Sequence, residues 1–475
     1  MGTPPPASPG GAAWGLEWAL AGLVRRLAGE FGLGGAGGAG AAALADPRAL
    51  AAAWREQGDR RRLVRPGAYF FVGRRLRAAL AAGGRAHSPG GLAELRRAGR
   101  FAAAAYGTAL ESLHSLPRMG QGVVAEVARR LACGVHPDAG IRLGLEVGEE
   151  ECSRIVHDSC EGADVIFWHR DPSLFVPVLF IAVDAAHGWV VVSVRGTLAT
   201  TDAVTDLCAE TVPFLGGRAH AGFSASAWQL LKMHGARLGR ALWENPGHEL
   251  MFTGHSMGAA VASLAAMLLR SRDRDVEALL LSSLPSIATE SGDQEGLDGE
   301  AHRLGVLARA RAARCLGLAT PCVVSLELSR RCPYVLSCVL GKDVIPRLSK
   351  SNFRTLVARM QEGAGRSWTD SATEVLLGPR GRTSVYELRD FRDEEFLVIP
   401  GLVVHLRHVT SAQGPTAEVR DPTAFSEIRL TLPRMFTDHM PLEYLWALEK
   451  VEGDLLMPSG PCLSEGEELG TDGGA

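Results

Sequence analysis

Leu250-Met251-Phe252-Thr253-Gly254-His255-Ser256-Met257-Gly258-Ala259-Ala260 sets a serine between two glycines, behind an apolar run and ahead of an alanine-rich one. The run Leu250 to Thr253 predicts a strand, and the residues from about Met257 to Arg270 predict a helix. A G-x-S-x-G pattern at such a strand-to-helix turn has a mechanical cause: the serine backbone is strained, and only small neighbours let strand and helix pass closely. The turn lifts the serine hydroxyl above the sheet at the positive end of the helix, where backbone N–H groups face a developing oxyanion. Ser256 is therefore the candidate nucleophile, with Gly254, His255 and Gly258 as its elbow. His255 is expected to pack within the elbow and not to transfer protons.

Working outward, Val165–Trp168, Val178–Val183 and Trp189–Val194 are short β-branched runs, the last two joined across Asp184–Gly188 as a hairpin. A helix over about Ser224–Trp243 precedes the elbow strand, a helix opens near Leu95–Tyr106, and later strands fall near Val335–Leu340 and Leu402–Leu406. This alternation predicts an α/β fold with a mainly parallel central sheet and helices on both faces.

A seryl hydroxyl needs a base, and the base needs an acid to hold its tautomer, in the chain order Ser, Asp or Glu, His for this kind of turn. Asp343 follows the apolar run Tyr334–Leu340 through Gly341-Lys342, at the C-terminal end of a strand, where α/β sites assemble. His439, in Phe436-Thr437-Asp438-His439-Met440-Pro441, stands in a loop before a C-terminal helix. His405 and His408 compete for its role, but they sit in or beside a strand, where a histidine more often packs or faces water. For the oxyanion, the N–H of Met257 follows the nucleophile, and Arg195-Gly196-Thr197 closes the Val190–Val194 strand, so Thr197 is the second donor. No metal or cofactor is needed for such chemistry, and no zinc-type spacing occurs among the nine cysteines.

These blocks resemble the class 3 lipases, an α/β-hydrolase family, and within them the diacylglycerol lipases. The resemblance runs over about residues 95–450. Val192-Ser193-Val194-Arg195-Gly196-Thr197-Leu198, with Asp202 and Thr205-Asp206-Leu207, looks like the family's oxyanion-strand block, and His220-Ala221-Gly222-Phe223 looks like its H-x-G-F element. Leu340-Gly341-Lys342-Asp343-Val344-Ile345-Pro346-Arg347 is similar to the block bearing the catalytic aspartate, and Asp438-His439-Met440-Pro441-Leu442-Glu443-Tyr444 to the terminal histidine loop. The resemblance implies a serine lipase acting on acylglycerol esters through Ser256, Asp343 and His439. The alternatives are phospholipase A1 or galactolipase action on membrane lipids, and a catalytically silent lipid-binding protein on the same fold. Animal diacylglycerol lipases carry an N-terminal bundle of membrane-spanning helices, whereas no window here is apolar and uncharged enough to span a bilayer.

Three regions lie outside the hydrolase pattern of this chain of 475 residues. Residues 1–94 form an Ala/Gly/Arg-rich extension in which Leu16, Leu20, Leu23, Leu27 and Phe31 recur at helical spacing, followed by Arg60, Arg61, Arg62, Arg65, Arg74, Arg75 and Arg77. An amphipathic helix and a basic arm suit peripheral contact with an anionic lipid surface, or packing on the domain itself. Residues 271–314 read as an insertion and a candidate mobile cap over the acyl site, and 451–475 as an acidic disordered tail. A net charge of -3 argues against nucleic acid as a partner. A cytoplasmic or membrane-peripheral location is expected, with organelle targeting as the alternative left by the Ala/Arg-rich opening.

Overall fold

The computed structural model describes residues 89–107, 149–170, 175–196, 210–285, 294–355, 396–407, 415–428 and 434–451. The expectations for the N-terminal helix, the basic arm, the acidic tail, Thr197, Asp202, Thr205–Leu207 and His408 fall outside these residues.

The sheet begins with three antiparallel strands, β1 (Asp164–His169), β2 (Leu179–Asp184) and β3 (Trp189–Val194). A separate two-stranded ribbon follows, β4 (Thr211–Phe214) with β5 (Gly217–His220). The main sheet then continues in parallel through β6 (Glu249–His255), β7 (Arg314–Leu318), β8 (Val335–Leu340) and β9 (Leu402–Arg407), and β10 (Thr416–Arg420) closes its far edge antiparallel. The order β1-β2-β3-β6-β7-β8-β9-β10 is the mainly parallel sheet expected from the alternation of elements. This is the α/β-hydrolase arrangement.

Helices cover both faces, and β3 records it residue by residue. Val190, Val192 and Val194 point into one core with α3 (Ala221–Glu244) and α4 (Met257–Arg270), while Trp189 and Val191 point into the other. That second core is closed by α1 (Pro89–Ala104), α2 (Glu149–Ser159) and the C-terminal helix Pro441–Lys450. Burial from both sides is why β3 and β8 read as apolar runs, each interrupted by a single buried serine, rather than as alternating ones. Helix α1 buries Leu92, Leu95, Ala98, Phe101 and Ala102, the spacing of one helical stripe. Thr253 Oγ1 donates to both Ala98 O (3.0 Å) and Leu316 O (2.7 Å), tying α1 and β7 to the elbow strand. Cys160, Cys315, Cys322, Cys332 and Cys338 are buried free thiols.

Two features differ from the sequence reading. Strand β7 lies at the end of the stretch taken as an insertion; it is only five residues, Arg-Cys-Leu-Gly-Leu, too short to give a period of its own. The described helices of 271–314, α5 (Arg274–Leu281) and α6 (Gln294–Arg311), lie against α3. There a methyl group at Gly239 would overlap the Leu280 carbonyl oxygen, and Ser283 Oγ donates to Ala236 O (2.6 Å). Arg309 bonds the carbonyls of Leu242, in the last turn of α3, and Pro246, in the loop that leads to β6. The segment also departs from the end of α4 opposite Ser256, about 20 Å along the helix. These described helices form a flanking layer on α3; residues 286–293 of the same segment lie outside the described set.

Candidate active site

Ser256 sits where β6 turns into α4, with φ 59° and ψ −128°, a left-handed conformation that a non-glycine residue holds only when its surroundings fix it. Its amide donates to Leu318 O of β7 (2.9 Å). Side chains at Gly254 or Gly258 would collide with the backbone: a methyl at Gly258 would overlap Val194 O, and one at Gly254 would lie 2.6 Å from Gly258 C and 2.7 Å from Val194 O. The two glycines thus let the end of β3 press against the elbow. Met257 is the first residue of α4, at the helix terminus where orphan N–H groups collect.

Asp343 follows β8 and is fully buried. Its Oδ1 accepts the Ile345 amide (2.9 Å), its Oδ2 accepts the Tyr444 hydroxyl (2.7 Å), and His439 Nδ1 stands 3.1 and 3.0 Å from the two oxygens. Tyr444 in turn accepts the Leu340 amide (2.9 Å). Burial holds the Tyr444 phenol well above its usual range, and the neighbouring Asp343 adds to the effect, so the hydroxyl keeps the hydrogen it donates to Asp343.

His439 lies between the short helix α7 (Arg434–Thr437) and α8 (Pro441–Lys450). Asp438 latches this loop to the aspartate loop by accepting the Lys342 amide (2.7 Å). The backbone oxygen of His439 is bonded by His255 Nε2 (2.8 Å), and the two rings lie 4.7 Å apart between centroids. The histidine loop is thereby fixed to the residue that precedes Ser256. His405 is placed elsewhere: its Nε2 bonds Gly341 O (3.1 Å) and its other nitrogen faces Glu418, packed edge-on to Phe425. Among the described residues no group of three or more His, Cys, Asp and Glu is arranged to hold a metal ion.

An imidazole held at Nδ1 by a carboxylate keeps Nε2 available as a base. Residues 191–292 match the family model described as Lipase (class 3). Over these residues the chain is similar to the class 3 lipases. It is 24% identical over 407 residues to diacylglycerol lipase-alpha of Rattus norvegicus, covering 74% of this chain and 35% of that protein. A secreted mono- and diacylglycerol lipase A of Penicillium cyclopium is 36% identical over 115 residues, 23% of this chain and 37% of the relative. The chain spans about a third of the length of these curated relatives. A crystal structure of an MDLA mutant from Penicillium cyclopium aligns with a TM-score of 0.41 and 18% identity over 72% of this chain and 93% of that one. Among the described residues no helix is long and apolar enough to cross a membrane.

Three supports of the site carry no local sequence signal of the role they play. Tyr444 and Asp438 stood in the histidine block, yet their partners, Leu340 and Lys342, lie about a hundred residues away. Tyr106, whose hydroxyl lies 2.8 Å from His255 Nδ1, ended a helix in a run of alanines and carried no local signal.

Proposed function

We propose that the chain is a serine lipase that hydrolyses carboxylic esters of acylglycerols, diacylglycerol-lipase-like, with Ser256 as nucleophile, His439 as base and Asp343 as orienting acid. The observation that carries this reading is the His439 Nδ1–Asp343 bond, in a loop fastened through His255 to the serine elbow. His439 Nε2 takes the proton of Ser256 Oγ as that oxygen bonds the ester carbonyl carbon. The tetrahedral oxyanion is held by the N–H groups of Met257 and Thr197, each such donor being worth on the order of 10² to 10³ in turnover. Collapse breaks the bond to the alcohol oxygen, which leaves with the proton from His439. Water, deprotonated by the same imidazole, then releases the fatty acid from Ser256. Residues 1–94 bring the domain to a lipid surface through the apolar helix face and the arginine arm.

Ser256→Ala is expected to lower hydrolysis of a short-chain acyl ester by at least about a thousandfold, since triad members act as a unit. An unchanged rate removes Ser256 from the mechanism, and a wild-type chain inert on every ester favours a silent lipid-binding protein. Profiling on diacylglycerol, triacylglycerol, phospholipid and galactolipid assigns the headgroup, with preference for the last two overturning the acylglycerol assignment.

A further inference from the structure

Two buried side chains that neither attack nor bind an ester link three loops of this site. Tyr106 Oη lies 2.8 Å from His255 Nδ1, and His255 Nε2 lies 2.8 Å from the backbone oxygen of His439. Tyr106 also accepts a hydrogen bond from the Gly196 amide. The backbone at Gly196 is so close that a side chain there would sit 2.5 Å from both Tyr106 Oη and the His255 carbonyl oxygen, and 3.3 Å from Ser256 Cβ. A carbonyl can only accept, so His255 Nε2 carries the hydrogen given to His439 O. His255 is 2% exposed, and burial, with the nearby His439, holds its imidazole well below the usual histidine range, so the ring is neutral and Nδ1 accepts. The Tyr106 hydroxyl then donates to Nδ1, which leaves its own oxygen to accept from Gly196. Every donor and acceptor in the chain Gly196 N–H, Tyr106 O–H, His255, His439 C=O points one way. Its ends are the loop that precedes Thr197 and the loop that carries the base, and its middle is the residue before the nucleophile.

We propose that Tyr106 and His255 are positioning residues that hold the oxyanion loop and the histidine loop in register with Ser256, so that helix α1 sets the geometry of a reaction it does not touch. The proposal rests on the serine-hydrolase reading above. A loosened histidine loop misplaces Nε2 against Ser256 Oγ, and small misplacements of that kind cost about a hundredfold in rate.

The test compares wild type with Tyr106→Phe, His255→Leu and the double variant, each assayed well below its unfolding midpoint. The readouts are the rate of Ser256 phosphonylation by a fluorophosphonate, in which fluoride leaves, and kcat and KM on a short-chain ester. Each single variant is expected to lose about ten- to a hundredfold in phosphonylation rate and kcat with KM unchanged, and the double variant to lose no more than the worse single one. His255→Gln, which keeps an N–H within reach of the His439 carbonyl, is expected to recover part of the loss. Folded Tyr106→Phe with wild-type rates, or two losses that simply multiply, overturns the proposal. Should His255→Leu fail to fold, Tyr106→Phe and His255→Gln decide by the same criteria. A wild-type chain that the fluorophosphonate does not label overturns the serine-hydrolase reading and this proposal together, whereas labelling of every variant at the wild-type rate overturns this proposal alone.

Discussion

Asp343 receives three donors while fully buried, and each has a separate task. The Ile345 amide and the Tyr444 hydroxyl hold the carboxylate, leaving it oriented toward His439 Nδ1. Tyr444→Phe keeps the ring and deletes the hydroxyl, so Asp343 loses a donor and the Leu340 amide its acceptor. We expect kcat to fall about tenfold with KM nearly unchanged, together with a loss of about 1–2 kcal/mol in urea unfolding for the two groups left short. Equal kcat in the folded variant would show that the other donors suffice. At this scale the sequence reveals side chains whose chemistry is written into a local motif, Ser256 between its glycines above all. It conceals those that act on distant backbone: the partner of the His255 ring is a carbonyl 184 residues on.

At the scale of elements, the contacts that decide stability are close approaches of backbone. In an open helix Gly239→Ala would stabilise by about 0.5–1 kcal/mol. Within α3 it drives a methyl into the Leu280 carbonyl of α5, and we expect a net loss of about 1–3 kcal/mol by overpacking, measured by denaturant unfolding. Helix α1 is held from the other side. Arg97, 4% exposed, bonds Asp184 Oδ2 at 2.9 Å and Cys160 O at 2.5 Å, joining α1 to the end of β2 and to α2. Arg97→Met leaves Asp184 buried without its partner guanidinium, and about 3 kcal/mol of stability should be lost, with Asp184→Asn in the same background recovering part. The lengths of α4 and β8 follow from apolar runs with clear ends. Strand β7 and the flanking place of α5 and α6 do not, because neither shows until the surface it packs on exists.

For the molecule as a whole, the acid side of stability has a structural source. Burial pushes the His234 imidazole down to about 4, with His169 and Arg237 beside it adding to the effect. The folded state therefore takes up its proton later than the unfolded chain, so the contribution is complete above about pH 6.5 and is lost as pH falls toward 4. Between pH 7 and 5 wild type should lose about 2 kcal/mol more than His234→Phe, read from urea unfolding at each pH. Parallel curves would mean that another group dominates. Local period and local motif encode an α/β sheet, the turn that strains Ser256, and the blocks that hold Asp343 and His439. The folded chain alone reveals that α5 and α6 lie on α3, that β7 enters between β6 and β8, and that Tyr106 and His255 join loops far apart in sequence. The physical reason is range. Side-chain periodicity and backbone strain are set within a few residues, whereas the direction of a buried hydrogen bond and the room left for a methyl group depend on an element far away in sequence.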